Sequence, residues 1–202
     1  MPTQAERRRV TRQRLLDAAA VVFARRGFAA ASVDEIAREA GYSTGAIYWH
    51  FKGKDDLFLA MAEEFAIDRV RELDEVIGAT DVDPAERARA AGDQWMARLA
   101  DDPVRFRVAI EFRNYAAERP EVREALANRV GAVREAAARQ LERDADAGRI
   151  ELPLPASDLA AVVRALGIGL AVEKLTDPDA IREELFGEFL AILFQLLARH
   201  RH

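Results

Sequence analysis

Apolar residues recur along this chain at three- and four-residue intervals, and no stretch alternates apolar with polar in the manner of a strand. That periodicity predicts an all-α chain of about nine helices, at about 11–25, 33–40, 44–51, 54–77, 84–101, 103–118, 120–147, 158–175 and 178–199. The punctuation agrees with it. Pro84, Pro103 and Pro120 each stand at a first helical position, where a missing amide proton costs nothing. Gly27, Gly41 and Gly148 stand where helices stop. Thr80-Asp81-Val82-Asp83 reads as a break with an N-cap, and residues 149–157 read as a proline-containing loop in which Ser157 caps the next helix. Asp177-Pro178 is expected to open the last helix, and residues 1–10 to form a disordered or loosely helical basic arm. The fourth helix would run roughly 36 Å at 1.5 Å per residue, long enough to link a head to whatever follows.

The last helix is apolar around most of its circumference. Glu184, Glu188, Ala191 and Gln195 make one narrow polar stripe. Ile181, Leu185, Phe189, Leu193 and Leu196 fill a second stripe, and Phe186, Leu190, Phe194 and Leu197 a third. A surface helix needs an apolar face only ~100° wide. The excess implies either burial in the middle of one protomer or a second face that meets a partner. The eighth helix adds Leu159, Val162, Val163, Leu166, Ile168, Leu170 and Val172, with Ala165, Gly167 and Gly169 permitting close backbone approach.

The most specific local pattern is SVDEIAREAGYSTGAIYWHFKGK, residues 32–54. Ser32 and Glu35 form a capping-box pair. Val33, Ile36, Ala37 and Ala40 follow at helical spacing, Gly41 can take positive φ, and Ser43 can cap a second helix over Thr44–Phe51. So short a helix needs a partner to pack on. Two such helices across a glycine turn form a helix-turn-helix, whose second helix enters the DNA major groove. The residues opening that helix, Thr44, Gly45 and Ala46, would reach base edges, with the Ala46 methyl suited to a thymine methyl. Tyr42, Ser43, Tyr48, His50 and Lys54 suit phosphates, which position without reading sequence. Ser32, Trp49 and Lys52 complete the candidate DNA-binding set, while Ile47 and Phe51 are assigned to the core of the head.

The stretch 11–64 resembles the DNA-binding head of the TetR (tetracycline repressor-like) family. Thr11, Leu16, Ala18, Ala19, Phe23, Gly27, Phe28, Ser32, Ile36, Ala37, Ala40, Gly41, Ser43, Gly45, Ile47, Tyr48, His50, Phe51 and Lys54 carry the likeness. Ala46 stands where a hydroxyl residue is common, and Trp49 where Tyr or His is more usual. The resemblance implies a basic arm over 1–10, a helix-turn-helix domain over 11–54, and an effector-binding and dimerisation body over 55–202. It implies that the positions of Tyr48 and Lys54 hold the DNA backbone. It also implies that the last two helices pair with those of a second copy, placing Leu166, Ile168, Leu170, Phe186, Phe189, Leu190, Leu193, Phe194 and Leu197 at the interface. The expected function is sequence-specific regulation of transcription, as a ligand-responsive repressor binding a palindromic operator as a homodimer. An activator or DNA-architectural protein with the same head and no ligand switch is the alternative. Trp95, Phe106, Ile110, Arg113, Asn114, Tyr115, Val133 and Arg134 combine apolar walls with a few polar groups and are the candidate lining of an effector pocket. The effector is an unknown small molecule.

Charge supports the DNA reading once it is divided. The chain is net −5, yet residues 1–54 hold ten Lys/Arg against five Asp/Glu, and residues 55–202 hold twenty against thirty. A head of +5 on a body of −10 is an electrostatic footprint for phosphate, with Arg7, Arg8, Arg9, Arg12 and Arg14 at its start. No apolar run approaches the ~20 residues needed to cross a bilayer, so no membrane partner is expected. Without an apolar signal core the expected location is the bacterial cytoplasm, on the nucleoid when bound. Zero cysteines exclude thiolate metal sites, and three histidines make no zinc or iron set, so no metal or cofactor is expected.

Catalysis is not expected either. Gly41-Tyr42-Ser43-Thr44-Gly45 matches the letters of a nucleophile elbow, but that motif needs a strand before its serine. Here a helix precedes it, and the histidines downstream are His50, one helix away, and His200 and His202 near the chain end.

Overall fold

The computed structural model describes residues 3–77 and 82–198. They form nine helices: α1 Gln4–Ala30, α2 Val33–Ala40, α3 Thr44–His50, α4 Lys54–Ile77, α5 Pro84–Asp101, α6 Pro103–Ala117, α7 Pro120–Asp146, α8 Ala156–Thr176 and α9 Leu185–Leu197. Among the described residues the sole β feature is an isolated antiparallel bridge from Ile150 to Ala198.

Three boundaries differ from the sequence expectation. Most of the predicted arm is helix: α1 begins at Gln4, where Thr3 and Glu6 form a capping box. Its far end agrees with the expectation: Gly27 breaks the helical geometry with φ 77° and ψ 166°, and only a short turn follows it to Ala30. Ser157 does not cap α8. Pro155 takes the cap position, and the Ser157 hydroxyl donates to Asp158 instead. The last helix starts seven residues later than 178, at Leu185. Asp177 accepts the Asp179 amide on its side chain, and Lys174 donates to the Ile181 carbonyl at 2.7 Å. These local bonds turn the chain and compete with helix initiation. Thr80, Asp81, His200 and His202 lie outside the described residues.

The chain divides into two compact units, one of Met1–Phe65 with Arg107–Arg129, the other of Ala66–Phe106 with Val130–His202. The first unit is built on aromatic packing. Phe23 and Phe28 of α1, Phe58 of α4, and Phe112 and Tyr115 of α6 form a continuous cluster. Phe58 and Phe112 stack at 3.9 Å, and Phe28 meets Phe112 edge-on at 4.7 Å. Each fully buried ring of this size stabilises by roughly 1.5–3 kcal/mol through removal from water. Leu15, Leu16, Ala19 and Val22 of α1, Ile36 and Ala37 of α2, Ile47 of α3 and Leu57 of α4 complete that core.

In the second unit α5 and α9 approach closely through a pair of glycines. A Cβ on Gly92 would lie 2.7 Å from the Gly187 Cα, so no larger residue fits without moving backbone. A buried polar network ties α5 to α7. Arg87 and Asp144 are 3% and 2% exposed, and Arg87 donates to Asp144 at 2.8 Å. Arg149 and Gln140 also donate to the Asp144 carboxylate, at 2.8 and 3.2 Å.

The α9 stripes separate by burial. Phe186, Leu190 and Leu197 are 5%, 4% and 8% exposed and belong to the protomer's own core. Leu170, Leu193 and Phe194 are partly buried against the same clusters. The sequence expectation placed all six at a subunit interface, and the first three are buried within the protomer itself. The outward apolar surface consists of Phe189, Ile192 and Leu196 on α9 with Val162, Leu166 and Val172 on α8. Of the nine expected interface residues, Leu166 and Phe189 are the two that are exposed. Two apolar stripes around one helix leave the sequence silent about which faces inward.

Removing the Asp144 carboxylate would strand the Arg87 charge in the interior. Asp144→Ala is therefore expected to lower the urea-unfolding free energy by about 3–5 kcal/mol, the range for breaking a buried pair on one side. The exposed neighbour Asp146→Ala should shift it by under about 0.5 kcal/mol. Equal midpoints for the two variants would contradict the network's structural role.

Candidate nucleic-acid interface

The reading pair is specified almost entirely by local hydrogen bonding. Ser32 caps α2 by accepting the Glu35 amide at 3.2 Å, and Glu35 reaches back to the Ser32 amide at 3.3 Å. At the other end Gly41 adopts φ 72° and ψ 27°, which an L side chain resists. The Tyr42 amide bonds the Ala37 carbonyl at 2.9 Å and the Gly41 amide the Arg38 carbonyl at 3.2 Å, a Schellman closure. Ser43 then caps α3 through the Ala46 amide at 3.3 Å. One face of α3 is anchored by Ile47, fully buried, and by Phe51 just beyond it, 4% exposed. The opposite face carries Tyr48 and Trp49, each 60% exposed.

Of the expected DNA contacts, Gly45, Tyr48, Trp49 and Lys52 stand in the open, with Ala46 half-buried among them. Others are already engaged within the protein. The Thr44 hydroxyl donates to Asp34 at 2.7 Å, an acceptor ten residues back that no local motif announces. The Ser32 hydroxyl serves its own capping box. Tyr42 and Thr11 bring their hydroxyl oxygens to 3.5 Å, joining the turn to α1. Lys54 is the most heavily engaged of them. Its ammonium donates to the carbonyls of Phe28, Ala29 and Ala31 at 2.8, 3.1 and 3.0 Å and sits 4.6 Å over the Phe28 ring. Partial burial holds its pKa below the ordinary lysine range, against the pull of Asp55 and Glu111.

The helical N-terminal segment adds a feature invisible to motif reading. The Arg8 guanidinium lies 4.6 Å over the Trp49 ring, orienting that exposed indole. His50 packs edge-on to Trp49 at 4.6 Å, and its pKa is lowered by desolvation, then by Arg8 and Arg12. Part of the positive balance is spent internally. Arg12 pairs with Glu64 at 2.8 Å, Arg25 with Glu39 at 3.4 Å and Arg26 with Glu35 at 3.1 Å. Exposed pairs of this kind are worth under about 1 kcal/mol and yield readily to a phosphate.

This surface is a short capped helix with an exposed apolar-aromatic face on a basic support, the form of a helix-turn-helix. Comparison with known proteins agrees. Residues 15–61 match the model for bacterial regulatory proteins of the tetR family, and residues 84–199, more than half of the chain, match the C-terminal model of BetI-type transcriptional repressors.

The chain belongs to the TetR family.

It is 31% identical over 144 residues to the transcriptional repressor AcnR of Corynebacterium diphtheriae, covering 71% of this chain and 70% of that one. Over the head it is 51% identical to the transcriptional regulator SrpR of Pseudomonas putida, across 51 residues that span 25% of this chain and 24% of SrpR. The fold matches that of FadR from Bacillus subtilis, solved in complex with stearoyl-CoA, at TM-score 0.78 and 19% identity over 90% of this chain and 96% of that one. As a TetR-family member it is a DNA-binding transcriptional regulator. No helix among the described residues is long and apolar enough to cross a membrane.

The expected pocket residues fall in both units. In the second unit Trp95 and Phe106 meet edge-on at 4.9 Å, and the Trp95 indole donates to the Gly167 carbonyl at 3.2 Å. Val133 is half-buried and Arg134 exposed on α7. In the first unit Ile110 and Arg113 are half-buried and Asn114 is exposed. Tyr115 is committed to the head: its hydroxyl donates to Asp55 at 3.0 Å and its ring lies 4.9 Å from Phe28. Burial and the Asp55 bond raise its pKa.

Gly45 offers a direct test of which surface meets DNA. A Cβ there would touch nothing nearer than the Ser43 hydroxyl at 3.7 Å, so nothing inside the protein requires glycine. Gly45→Ala should therefore raise stability, by up to about 1 kcal/mol of helix propensity. If α3 enters the groove at its first turn, the same methyl should weaken specific binding by roughly 1–3 kcal/mol, the scale of a base-edge contact. Thermal melts and electrophoretic shifts on one preparation read both. Unchanged DNA affinity would remove Gly45 from the interface.

Proposed function

We propose that this TetR-family protein is a ligand-responsive repressor that binds a palindromic operator as a homodimer. The observation carrying the dimer is the outward apolar surface of Val162, Leu166, Val172, Phe189, Ile192 and Leu196, which gathers exposed large apolar residues on two consecutive helices. Such a patch on a soluble protein marks an association site. Residues 84–199 match a model built on repressors, and AcnR is a repressor, which supports the sign of regulation. A twofold dimer presents two α3 helices, and half-sites about one helical turn, ~34–36 Å, apart are the geometric counterpart.

Binding would be driven by phosphate contact and specified by Gly45, Ala46, Tyr48 and Trp49, with Arg8 holding the indole. Thr44 would read a base only through the face left by its bond to Asp34. Tyr42, Ser43, His50 and Lys52 flank that face, and Lys54 and Ser32 act behind it as positioning residues. In the first test, a random duplex pool is enriched on the full chain. Selected sequences should be palindromic and log affinity should fall linearly with log salt. Leu196→Glu should convert the dimer to a monomer in sedimentation and weaken binding to the palindrome far more than to a single half-site. A wild-type chain that sediments as a monomer would overturn the dimer.

The effector proposed is an anionic amphiphile. Arg164 of α8 is half-buried, and its pKa is lowered by desolvation and by the neighbouring Arg134 of α7. Among the described residues no carboxylate pairs with it. The two arginines stand one turn beyond the contact of Ala138 and Leu141 with Leu159 and Ala160. Two close cations without a counter-charge suit a carboxylate or phosphate, and FadR is a precedent for an acyl-CoA on this fold. A long-chain acyl-CoA at 100 times its Kd should stabilise the protein by about 2.7 kcal/mol. For a domain of this size that is a rise in Tm of roughly 5–10 °C. Arg164→Gln should abolish the shift, and a fatty alcohol of equal length should give little. Equal shifts from alcohol and acyl-CoA would remove the anionic requirement.

A further inference from the structure

The break in α1 at Gly27 creates a local deficit that the head cannot meet from its own sequence. With Gly27 at φ 77°, the amides of Phe28 and Ala29 leave the helical hydrogen-bond ladder. Both are taken by one side chain of α6. Glu111 accepts the Phe28 amide at 2.8 Å on one carboxylate oxygen and the Ala29 amide at 2.7 Å on the other. A Cβ on Gly27 would lie 2.8 Å from that carboxylate, so glycine provides the room as well as the dihedral angle. The carbonyls of the same connector are held from α4, where Lys54 donates to residues 28, 29 and 31. An anion thus grips the donors and a cation the acceptors of the four-residue strap that runs directly into Ser32, the cap of α2. One turn along α6, Tyr115 donates to Asp55 in the first turn of α4, and its ring packs on Phe28.

We propose that Glu111 is a positioning residue for DNA recognition: by holding the Phe28 and Ala29 amides it fixes the angle at which the α2–α3 reading pair leaves α1. It touches no DNA and lies outside the contiguous head, yet it belongs to the same compact unit. Glu111 holds both of those amides, so a shift of Glu111 moves the entry of α2, and α3 with it through the Gly41 closure. The proposal rests on DNA binding by the chain and on neither the dimer nor the effector.

The test uses the full chain as wild type, Glu111→Ala and Glu111→Gln. A duplex enriched by the wild type and an unrelated duplex of equal length are titrated at one salt concentration, well below each variant's melting temperature. Amide exchange at Phe28 and Ala29 is followed in parallel. Loss of two charge-assisted bonds predicts operator binding weakened by about tenfold or more in Glu111→Ala, with Glu111→Gln between it and wild type. Affinity for the unrelated duplex and its salt slope should stay within about twofold, because phosphate attraction does not depend on the set of α3. Both strap amides should exchange faster. If operator and unrelated duplex lose affinity together, Glu111 is only a stabilising cap and the proposal fails. It fails equally if Glu111→Gln binds the operator as wild type does while its strap amides exchange faster. Should Glu111→Ala not fold, Glu111→Gln carries the same comparison. A wild type that binds no duplex would sink the regulator reading instead, and is thereby distinguished.

Discussion

A helix of seven residues has no stability of its own in water, and the function of this chain depends on keeping one in place. Nucleating a helix fixes several residues for one hydrogen bond, so α3 persists only because its surroundings supply the rest. Ser43 satisfies one of its orphan amides, the Gly41 closure fixes its approach, and Ile47 with Phe51 bury its inner face. Ile47 and Phe51 are buried in doing so and are thereby lost to DNA. What remains for recognition is the outer face, where Gly45, Tyr48 and Trp49 stand clear.

That constraint explains why several polar residues with the look of ligands face inward. The three donor sites of Lys54 meet three carbonyls at 2.8–3.1 Å. Reaching a phosphate would mean leaving backbone groups unsatisfied in a partly buried setting, at about 1–3 kcal/mol for each group left buried and unpaired. Holding the strap is therefore the lower-energy use of its charge. Thr44 follows the same logic on a smaller scale, since its 2.7 Å bond to Asp34 braces α3 against α2. On the proposed reading, specificity would fall to shape and apolar contact at the first turn, where small side chains allow close approach.

How much of this could be read from the sequence depended on distance along the chain. Features set within a few residues were legible. The Ser32–Glu35 box, the Gly41 stop, the Ser43 cap and the span of α4 appear as the spacing predicts. The Thr3–Glu6 box had the same signature and defines the start of α1, but five charged or polar residues around it masked the helix. Partners 10 to 83 residues apart left no local trace. Asp34 with Thr44 and Glu111 with Phe28 are of that kind, as is Phe112 in the head's aromatic cluster. The α9 stripes failed for a different reason. Phe186 and Phe189 are equally apolar, and the neighbours that bury one and not the other come from α5 and α8.

The same accounting resolves a conflict of charge beside the reading helix. Asp55 and Asp56 open α4 close to Lys52 and Lys54, where a carboxylate would repel a phosphate backbone. Neither is an idle charge. Asp55 accepts the Tyr115 hydroxyl at 3.0 Å, and Asp56 accepts the Lys52 amide at 3.1 Å and Arg129 at 3.4 Å. Both also sit in the first turn of a helix, where the backbone dipole favours negative charge by about 0.3–1 kcal/mol. A lone carboxylate near phosphate opposes binding by roughly 1 kcal/mol at 4 Å in bulk water, and by less once screened. Paired with Arg129 on one side and capping the helix on the other, the aspartates stabilise the support of the head at little electrostatic cost to DNA. Removing them to make the surface more basic would loosen the α4 start that places Lys54 under the strap, and that loss outweighs the repulsion relieved.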